Sequence, residues 1–358
     1  MNEFGTKYRV GVFGTSHGPC VGAKVEGCPA GFKISEAFIQ AELDRRAPGK
    51  GPLSTTRTER DRLEIVSGLR NGKATGGPIV GLVRNVDKDS SAYDAFLRVP
   101  RPGHADYPAM VKYGGHHDHR GGGQFSGRMT AALVIAGAIA RQVLEKKRIS
   151  FIAQTIQIGK IELKKEIPLS IAERMVRASP VGCADRQISQ LMADEIVKAH
   201  EDQDSIGGVV KCSILGLPVG VGEPFFGSLE SKVSEMMFSI PGVKGVEFGS
   251  GFHCATKRGS EHNDPFIVKD GKIITKTNNA GGILGGLSNG MPVEFRVAFK
   301  PTSSIAKPQM SVDIVTKKPV ELVIKGRHDP CIVPRAVPVV ENSAAVVILD
   351  LALQGGFI

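Results

Sequence analysis

The sequence contains no tryptophan and only 4 tyrosines among its 358 residues. Proteins that bind single-stranded nucleic acid stack the bases on aromatic side chains, and many duplex-binding proteins carry clustered cations. Here the longest run of cations is the three residues at positions 146–148. The composition therefore argues against a nucleic-acid partner, although a net charge of +10 keeps a nucleic-acid-binding module open as an alternative.

The six cysteines show neither a CxxC pair nor the spacing of a zinc site. We therefore expect reduced, mostly buried thiols. No signal peptide precedes Tyr8, and no apolar run reaches the roughly 18 residues that a membrane span requires. These absences predict a cytoplasmic protein with no membrane partner.

The net charge is positive, with 46 Lys and Arg residues against 36 Asp and Glu residues. Such an excess favours acidic partners, among them phosphorylated small molecules. Several of the cations stand beside glycine-rich turns instead of in extended runs. This arrangement suits an anion-binding pocket better than a long groove.

The most apolar helix predicted by the sequence covers residues 128–147, which have almost no polar face. It follows Gly121, Gly122 and Gly123, which can adopt positive φ and point free N–H groups at an anion beside the helix dipole. A phosphate seat is one interpretation of this turn. A flexible glycine turn before a buried helix is the other, and the glycines alone do not decide between them.

Hydrophobic patterning predicts strands and helices in clusters instead of strict alternation. Helices are expected from Ser35, which is a plausible N-cap, to before Pro48, and again from Asp185, with Met192 in the core. These patterns predict one α+β domain over residues 1–358, with no linker or repeat. Other helices are predicted over residues 229–240 and 334–353, and strands over 7–13, 21–26, 63–66, 78–84, 149–158, 209–215, 293–299 and 320–324.

Polar and charged residues collect in loops at strand ends, where a rigid scaffold commonly positions functional groups. The arginine-rich loop at residues 44–51 follows a helix, and its cations could serve only to complement the helix dipole. The cluster of His116, His117, Asp118 and His119 suggests a metal-dependent phosphate-processing enzyme as an alternative. It has neither the helical spacing of an HExxH site nor a common direction for its side chains.

The loop motifs together resemble those of the chorismate synthase family, in order and over essentially the whole chain. Each motif is modest alone, but the combination is specific. They are GTSHG at residues 14–18, RPGHADY at 101–107, RGGG at 120–123 with Ser126 and Arg128, GVGEP at 220–224, NAGGILGG at 279–286, KPTSS at 300–304, GRHDPC at 326–331 and RAVP at 335–338.

The resemblance implies a lyase of the shikimate pathway that makes precursors of the aromatic amino acids. It would convert 5-enolpyruvylshikimate 3-phosphate to chorismate and phosphate by 1,4-elimination, using reduced FMN (FMNH2) with no net redox change. NADPH would be a further cofactor if the enzyme reduced its own flavin. The implied fold is a β-α-β sandwich with helices between antiparallel sheets, assembled as a homotetramer. A pocket for two phosphates and two carboxylates agrees with the positive charge.

The resemblance also implies roles for individual residues. His17 would supply a proton to the reduced flavin, His104 would assist departure of the substrate phosphate, and Asp329 would help remove the substrate proton. The arginines implied to bind the substrate are Arg46, Arg101, Arg128 and Arg327. The implied flavin contacts are Gln124, Phe125, Ser126, Pro241, Gly242, Gly285, Lys300, Pro301, Thr302, Ser303, Ser304 and Arg327.

The sequence departs from the family pattern at several positions. Thr15 replaces a usual glutamate, Ala47 interrupts a common arginine triplet, and Pro52 stands where many members have arginine. The usual RGGGRSSARET is RGGGQFSGRMT at residues 120–130, so Gln124 and Phe125 replace an arginine and a serine. These two changes predict either a weaker flavin contact or compensation by the nearby cations of residues 116–119.

Overall fold

The computed structural model describes residues 2–48, 53, 61–86, 90, 91, 93–324, 326 and 328–358. Its strands are β1 (Glu3–Phe4), β2 (Arg9–Gly14), β3 (Cys20–Glu26), β4 (Leu63–Ser67), β5 (Leu69–Arg70), β6 (Lys73–Ala74), β7 (Ile79–Arg84), β8 (Ser150–Ile158), β9 (Ile161–Glu162), β10 (Gly208–Leu215), β11 (Val243–Phe248), β12 (Phe266–Lys269), β13 (Lys272–Thr275), β14 (Ile283–Leu284), β15 (Leu287–Ser288), β16 (Val293–Phe299), β17 (Gln309–Val312) and β18 (Pro319–Leu322).

Two five-stranded antiparallel sheets contain the longer strands. The first has the order β1-β2-β3-β7-β4, and the second has the order β11-β16-β10-β8-β9. In β16 the alternate residues Val293, Phe295, Val297 and Phe299 are buried while the residues between them are partly accessible. This period of two is expected for a strand with one face on the core. Short hairpins, β5-β6, β12-β13, β14-β15 and β17-β18, lie outside the two sheets.

The described helices are α1 (Glu36–Arg46), α2 (Asp106–Lys112), α3 (Thr130–Glu145), α4 (Leu169–Ala178), α5 (Arg186–Glu201), α6 (Leu229–Phe238), α7 (Gly259–His262) and α8 (Val333–Gln354). Two of them, α3 and α8, lie between the sheets. Helix α3 packs on the first sheet and on α8, and α8 packs on β8 and β10 of the second sheet. The result is a β-α-β sandwich, which confirms the α+β class predicted from the sequence patterns and the sandwich implied by the resemblance.

The two central helices approach each other closely where Gly137 of α3 meets Asn342 of α8. A Cβ atom at position 137 would lie 2.0 Å from the backbone oxygen of Asn342, so the contact requires glycine. The segment Gly127–Glu145, which contains α3, and helix α8 are both long and apolar enough to cross a membrane, but 78% and 94% of their apolar windows are buried inside the protein. Their composition is therefore that of core helices.

Most predicted elements are present with small shifts at their ends. Ser35 caps α1 by accepting a hydrogen bond from the Phe38 N–H at 3.2 Å, and Asp185 caps α5 in the same way. The helix ends before Pro48 as predicted, but the cationic loop predicted over residues 44–51 is wrong at its start, because α1 continues through Arg46, whose side chain is buried. Residues 49–51 of that loop lie outside the described residues. Helix α4 and strand β11 were not expected from the sequence.

Candidate active site

A cleft of about 580 Å³ opens where loops from both sheets meet the ends of α1 and α8. Seven segments of the described chain line it, and they are distant in sequence. They contribute residues 46 and 48, 93, 101–105, 121–130, 238–244, 299–304 and 328–339, although some residues within these ranges do not face the cleft. Loops supported by a packed scaffold are the usual location of a binding site.

Arg101 and His104 are held by the carboxylate of Asp106 at the start of α2. Asp106 Oδ2 accepts from the backbone N–H and from Nε of Arg101, at 3.0 and 2.8 Å. Asp106 Oδ1 accepts from Nη2 of Arg101 at 2.8 Å and lies 2.7 Å from Nδ1 of His104. Burial opposes ionisation of this carboxyl, but its contacts with Arg101 and His104 dominate and hold the pKa of Asp106 well below its usual range.

The turn of Gly121, Gly122 and Gly123 separates the two histidines His17 and His104. All three glycines have positive φ, at 61°, 80° and 53°. A Cβ atom on Gly122 would lie 3.2 Å from Nε2 of His104. The glycines therefore let the backbone pass close to the imidazole rings, which side chains would prevent.

The predicted seat for an anion at a helix N-terminus is wrong in its geometry. Helix α3 begins at Thr130, seven residues after Gly123, and a short 3₁₀ segment (Gly127–Met129) precedes it. The N–H of Gly122 already donates to the carbonyl of His119 at 3.1 Å. The turn lines the cleft, but it is not the first turn of the central helix.

His17 is buried behind the glycine turn. Its Nδ1 lies 2.8 Å from Oγ of Ser90, and its ring meets the ring of Tyr93 edge-on with centroids 5.1 Å apart. The neighbouring N–H of Ser16 donates to the carbonyl of Gly123 at 3.2 Å, which fixes the two turns to each other. Gly121, and not His17, forms this part of the cleft wall.

Arg46 and Arg128 converge on one carboxylate, that of Asp61. Asp61 is fully buried and accepts from Nε and Nη2 of Arg46 at 3.0 and 2.6 Å, and it also pairs with Nη1 of Arg128. Burial raises the pKa of Asp61, but the two guanidiniums outweigh burial and bring it below its ordinary value. Burial also lowers the pKa of Arg46 to about 10, aided by Arg335 and Arg128 and opposed by Asp61.

Asp329 forms an ion pair with Arg335 at the start of α8. Arg335 also donates from Nε to the carbonyl of Arg46 at 3.1 Å, so it connects α1 with α8. The backbone carbonyl of Asp329 accepts from Oγ1 of Thr302 at 2.9 Å. The loop of residues 300–304 is thereby fixed to the segment that carries Asp329.

Lys300 attaches the same loop to the segment that carries His104. Its Nζ donates to the carbonyl of Gly103 at 2.5 Å and lies 2.7 Å from Oγ of Ser303, which donates to that carbonyl as well. Oγ of Ser304 accepts from Nη1 of Arg101 at 3.1 Å. Burial, followed by the charge of Lys244, lowers the pKa of Lys300.

The structure brings most of the predicted site residues to this one cleft. Gly285 does not line it and lies in the turn between β14 and β15, while Arg327 and Pro52 are outside the described residues. The predicted residues that line the cleft are Arg46, Arg101, His104, Gln124, Phe125, Ser126, Arg128, Pro241, Gly242, Lys300, Pro301, Thr302, Ser303, Ser304 and Asp329.

The histidine cluster does not form a metal centre. His119 Nε2 lies 2.8 Å from Asp94, whereas Asp118 pairs with Arg120 and accepts from Thr15 Oγ1 at 2.9 Å. Within the described part of the chain, no group of three or more His, Cys, Asp or Glu side chains is arranged to hold a metal ion. The alternative of a metal-dependent enzyme has no support here.

Several residues of the site were not assigned a role from the sequence. Asp106 and Arg335 lie inside the motifs RPGHADY and RAVP, so the motifs themselves were the available signal. Lys244 follows the helix that leads into the cleft, without a motif of its own. Asp61 had no signal, because the segment TERDR at residues 58–62 has the composition of an ordinary solvated charge run.

Comparison with known proteins identifies close relatives over the full length. A family model described as chorismate synthase matches residues 8–353. The chain is 51% identical to the chorismate synthase of Korarchaeum cryptofilum over 97% of this chain and 96% of that protein. It is 48% identical to the chorismate synthase of Methanococcoides burtonii over 100% and 97%. A crystal structure of a chorismate synthase superposes with a TM-score of 0.76 at 28% identity, covering 98% of this chain and 93% of the other.

Proposed function

The chain belongs to the chorismate synthase family, and from this premise we propose that the cleft binds both the substrate and the flavin. As a member of that family it is a lyase of the shikimate pathway, which serves aromatic amino acid biosynthesis. Its reaction converts 5-enolpyruvylshikimate 3-phosphate to chorismate and phosphate. The family uses reduced flavin.

The charge of the cleft is the observation that carries this proposal. Among the described residues that line it, Asp329 is the only carboxylate, against six lysines and arginines. A substrate with one phosphate and two carboxylates, bound beside a flavin phosphate, requires such an excess. The six cations are Arg46, Arg101, Arg128, Lys244, Lys300 and Arg335.

The residues present also fit a flavin ring. The wall near α6 and α8 is apolar, with Ile240, Val243, Phe299, Ile332 and Val339 facing the cleft. Apolar walls with a few placed polar groups are typical of cofactor sites. When bound, reduced FMN would supply the electron-rich ring that the elimination requires without net redox change.

The polar groups divide between binding and proton transfer. Arg101 and Arg128 would hold anionic groups of the substrate. Lys300 with Ser303 would hold the flavin phosphate beside Gly103. His104 would donate a proton to the departing phosphate through Nε2, since Nδ1 is occupied by Asp106. Asp329, oriented by Arg335, would hold the proton that leaves the substrate.

Other features are proposed from the sequence patterns and from the family. These are a homotetramer, a cytoplasmic location, a single domain over residues 1–358, and FMN as the particular flavin. One connected core of buried side chains, shared by both sheets, supports the single domain. Whether NADPH reduces the flavin on this enzyme is tested by incubation with oxidised FMN, NADPH and substrate. Chorismate formed under those conditions would support a bifunctional enzyme.

The test of the proposed site uses an anaerobic assay with reduced FMN, substrate and a metal chelator. We expect chorismate and phosphate in equal amounts. His104→Ala should lower turnover by roughly 10- to 10⁴-fold, the range for a lost acid-base group, without weakening FMN binding. Lys300→Met should weaken FMN binding, whereas Lys232→Met, on the solvent side of α6, should not. Unchanged affinity in Lys300→Met would contradict the placement of the flavin phosphate.

A further inference from the structure

Asp106 is a tightly held carboxylate in contact with His104, the proposed proton donor. Its side chain is only 8% exposed, and it accepts four hydrogen bonds from two partners, Arg101 and His104. Asp106 does not line the cleft, so it acts on the contents of the cleft only through these neighbours. Its position resembles that of groups that orient a catalytic imidazole.

The contact with His104 determines which imidazole nitrogen carries the hydrogen. An ionised carboxylate only accepts, so the 2.7 Å contact places a hydrogen on Nδ1. Nε2 then faces Gly122 and is the nitrogen available to the substrate. The carboxylate also opposes the charge of Arg101, whose Nη2 lies 3.1 and 3.3 Å from the two ring nitrogens.

We propose that Asp106 is a positioning residue for the reaction, which keeps one hydrogen of His104 on Nδ1 so that the second proton of the imidazolium is carried on Nε2 and is given from there to the departing phosphate. The inference rests on the proposed role of His104 and adds to it the group that makes that role possible. Arg101 then has a second role besides binding the substrate, which is to orient Asp106. By occupying both oxygens, Arg101 leaves Asp106 a single orientation in which only Oδ1 reaches the imidazole.

The substitution Asp106→Asn removes the negative charge of this side chain and keeps its shape. At the Oδ2 position an amide nitrogen would face two Arg101 donors, the backbone N–H and Nε. At the Oδ1 position it would face Nη2 of Arg101 and Nδ1 of His104, and only the histidine can change from donor to acceptor. The asparagine amide should therefore point at His104 and require Nδ1 to accept, so that the ring is neutral with its only hydrogen on Nε2. A neutral imidazole is a much weaker acid than the imidazolium, so proton transfer to the phosphate should be slower.

A double-mutant cycle tests whether Asp106 acts through His104. We expect Asp106→Asn to lower kcat by about 10- to 10³-fold, part of the range for general acid catalysis. In the His104→Ala background the same substitution should lower kcat less than about 2-fold, because residues that act as a unit are not additive. An equal loss in both backgrounds would show that Asp106 acts through Arg101 or the fold, and would overturn the proposal.

The ring hydrogen can be observed directly by NMR on protein labelled with ¹⁵N-histidine, with His104→Gln used to assign its signals. In the wild-type protein at a pH where the ring is neutral, we expect the Nδ1–H form, and in Asp106→Asn the Nε2–H form. A wild-type protein with the hydrogen on Nε2 would overturn the proposal even if Asp106→Asn failed to fold.

Experiment can distinguish the proposed role of His104 from the positioning role of Asp106. If His104→Ala turned over at the wild-type rate, both the role of His104 and the positioning role of Asp106 would be lost. If His104→Ala were slow while Asp106→Asn kept the wild-type kcat, the proposed function would stand and only this inference would be wrong.

Discussion

Gly121 lies against the imidazole of His17 so closely that a Cβ atom at position 121 would stand 2.2 Å from Cδ2 of the ring. The backbone there has φ of 61°, in the left-handed region. Either property alone would favour glycine. Together they make the glycine turn and the buried histidine a single unit, in which neither can move without the other.

Replacement of Gly121 by alanine should therefore displace His17 or the turn. We expect Gly121→Ala to destabilise the protein by about 1–3 kcal/mol, as overpacking in a tight site does, and to lower turnover. Urea unfolding and the anaerobic assay measure the two effects. Gly127→Ala is the matched control, because Gly127 lines the same cleft but a Cβ there meets nothing within 4 Å. Equal effects of the two substitutions would contradict the close approach.

Asp61 should contribute strongly to stability, because it neutralises two buried arginines. We expect Asp61→Asn to lower the free energy of unfolding by about 3–5 kcal/mol near pH 7, the cost of breaking a buried ion pair. Glu64→Gln, which breaks the exposed pair of Glu64 and Arg84, should cost less than about 1 kcal/mol. Urea denaturation of both variants provides the comparison.

The contribution of Asp61 should also depend on pH in a defined direction. Because the pKa of Asp61 is lowered in the folded protein, its stabilisation is present above the unfolded pKa of about 3.9. It is lost as the pH falls through the lower folded value. The deficit of Asp61→Asn relative to wild type should therefore shrink below about pH 4. A deficit that stayed constant down to pH 2 would refute the ion-pair explanation.

His17 is expected to act in proton transfer although it is not on the cleft surface. We predict that His17→Ala lowers turnover by roughly 10- to 10⁴-fold, in the range for a lost acid-base group. Stopped assays of chorismate formation measure this loss. His253→Ala, at an exposed histidine outside the cleft, should turn over at the wild-type rate. A His17→Ala enzyme as fast as His253→Ala would leave His17 only a structural role.

The exposed side chain of Gln124 offers a way to strengthen the flavin site. Gln124→Arg adds a cation at the cleft, and we expect it to tighten FMN binding by about 3- to 10-fold at low salt. The gain should diminish in salt if it is electrostatic. Gln190→Arg makes the same charge change on the exposed side of α5 and should leave FMN affinity unaltered. Equal affinities in the two variants would exclude a local effect.

Local patterns in the sequence predicted the fold well where the forces are local. The Ser35 cap of α1 and the alternation in β16 depend on residues a few positions apart, and both are present. Strand β11 was missed because Lys244 and Gly245 interrupt its apolar pattern. The hydrogen bonds with β16 stabilise this strand, although its own composition does not predict one.

The contacts in the site were likewise predictable only where the residues lie close together in the sequence. Arg101, His104 and Asp106 lie within one motif, so their proximity follows from the chain itself. The pairing of Asp61 with Arg46 and Arg128 joins residues 15 and 67 positions apart, and nothing near Asp61 indicates it. The close packing of Gly121 on His17 is likewise a tertiary contact that explains a glycine whose sequence context suggested a phosphate seat.

The contact of Gly137 with Asn342 has a consequence for how the chain reaches its folded state. These residues lie 205 positions apart, and around them the two most apolar helices bury each other. During synthesis at about 5–20 residues per second, α3 would wait for at least about ten seconds before α8 existed. The face of α3 that packs on α8 would be exposed throughout that interval, although the strands of the first sheet already exist to cover its other face. Folding yield should therefore depend on chaperones that shield the exposed face of α3 until α8 arrives.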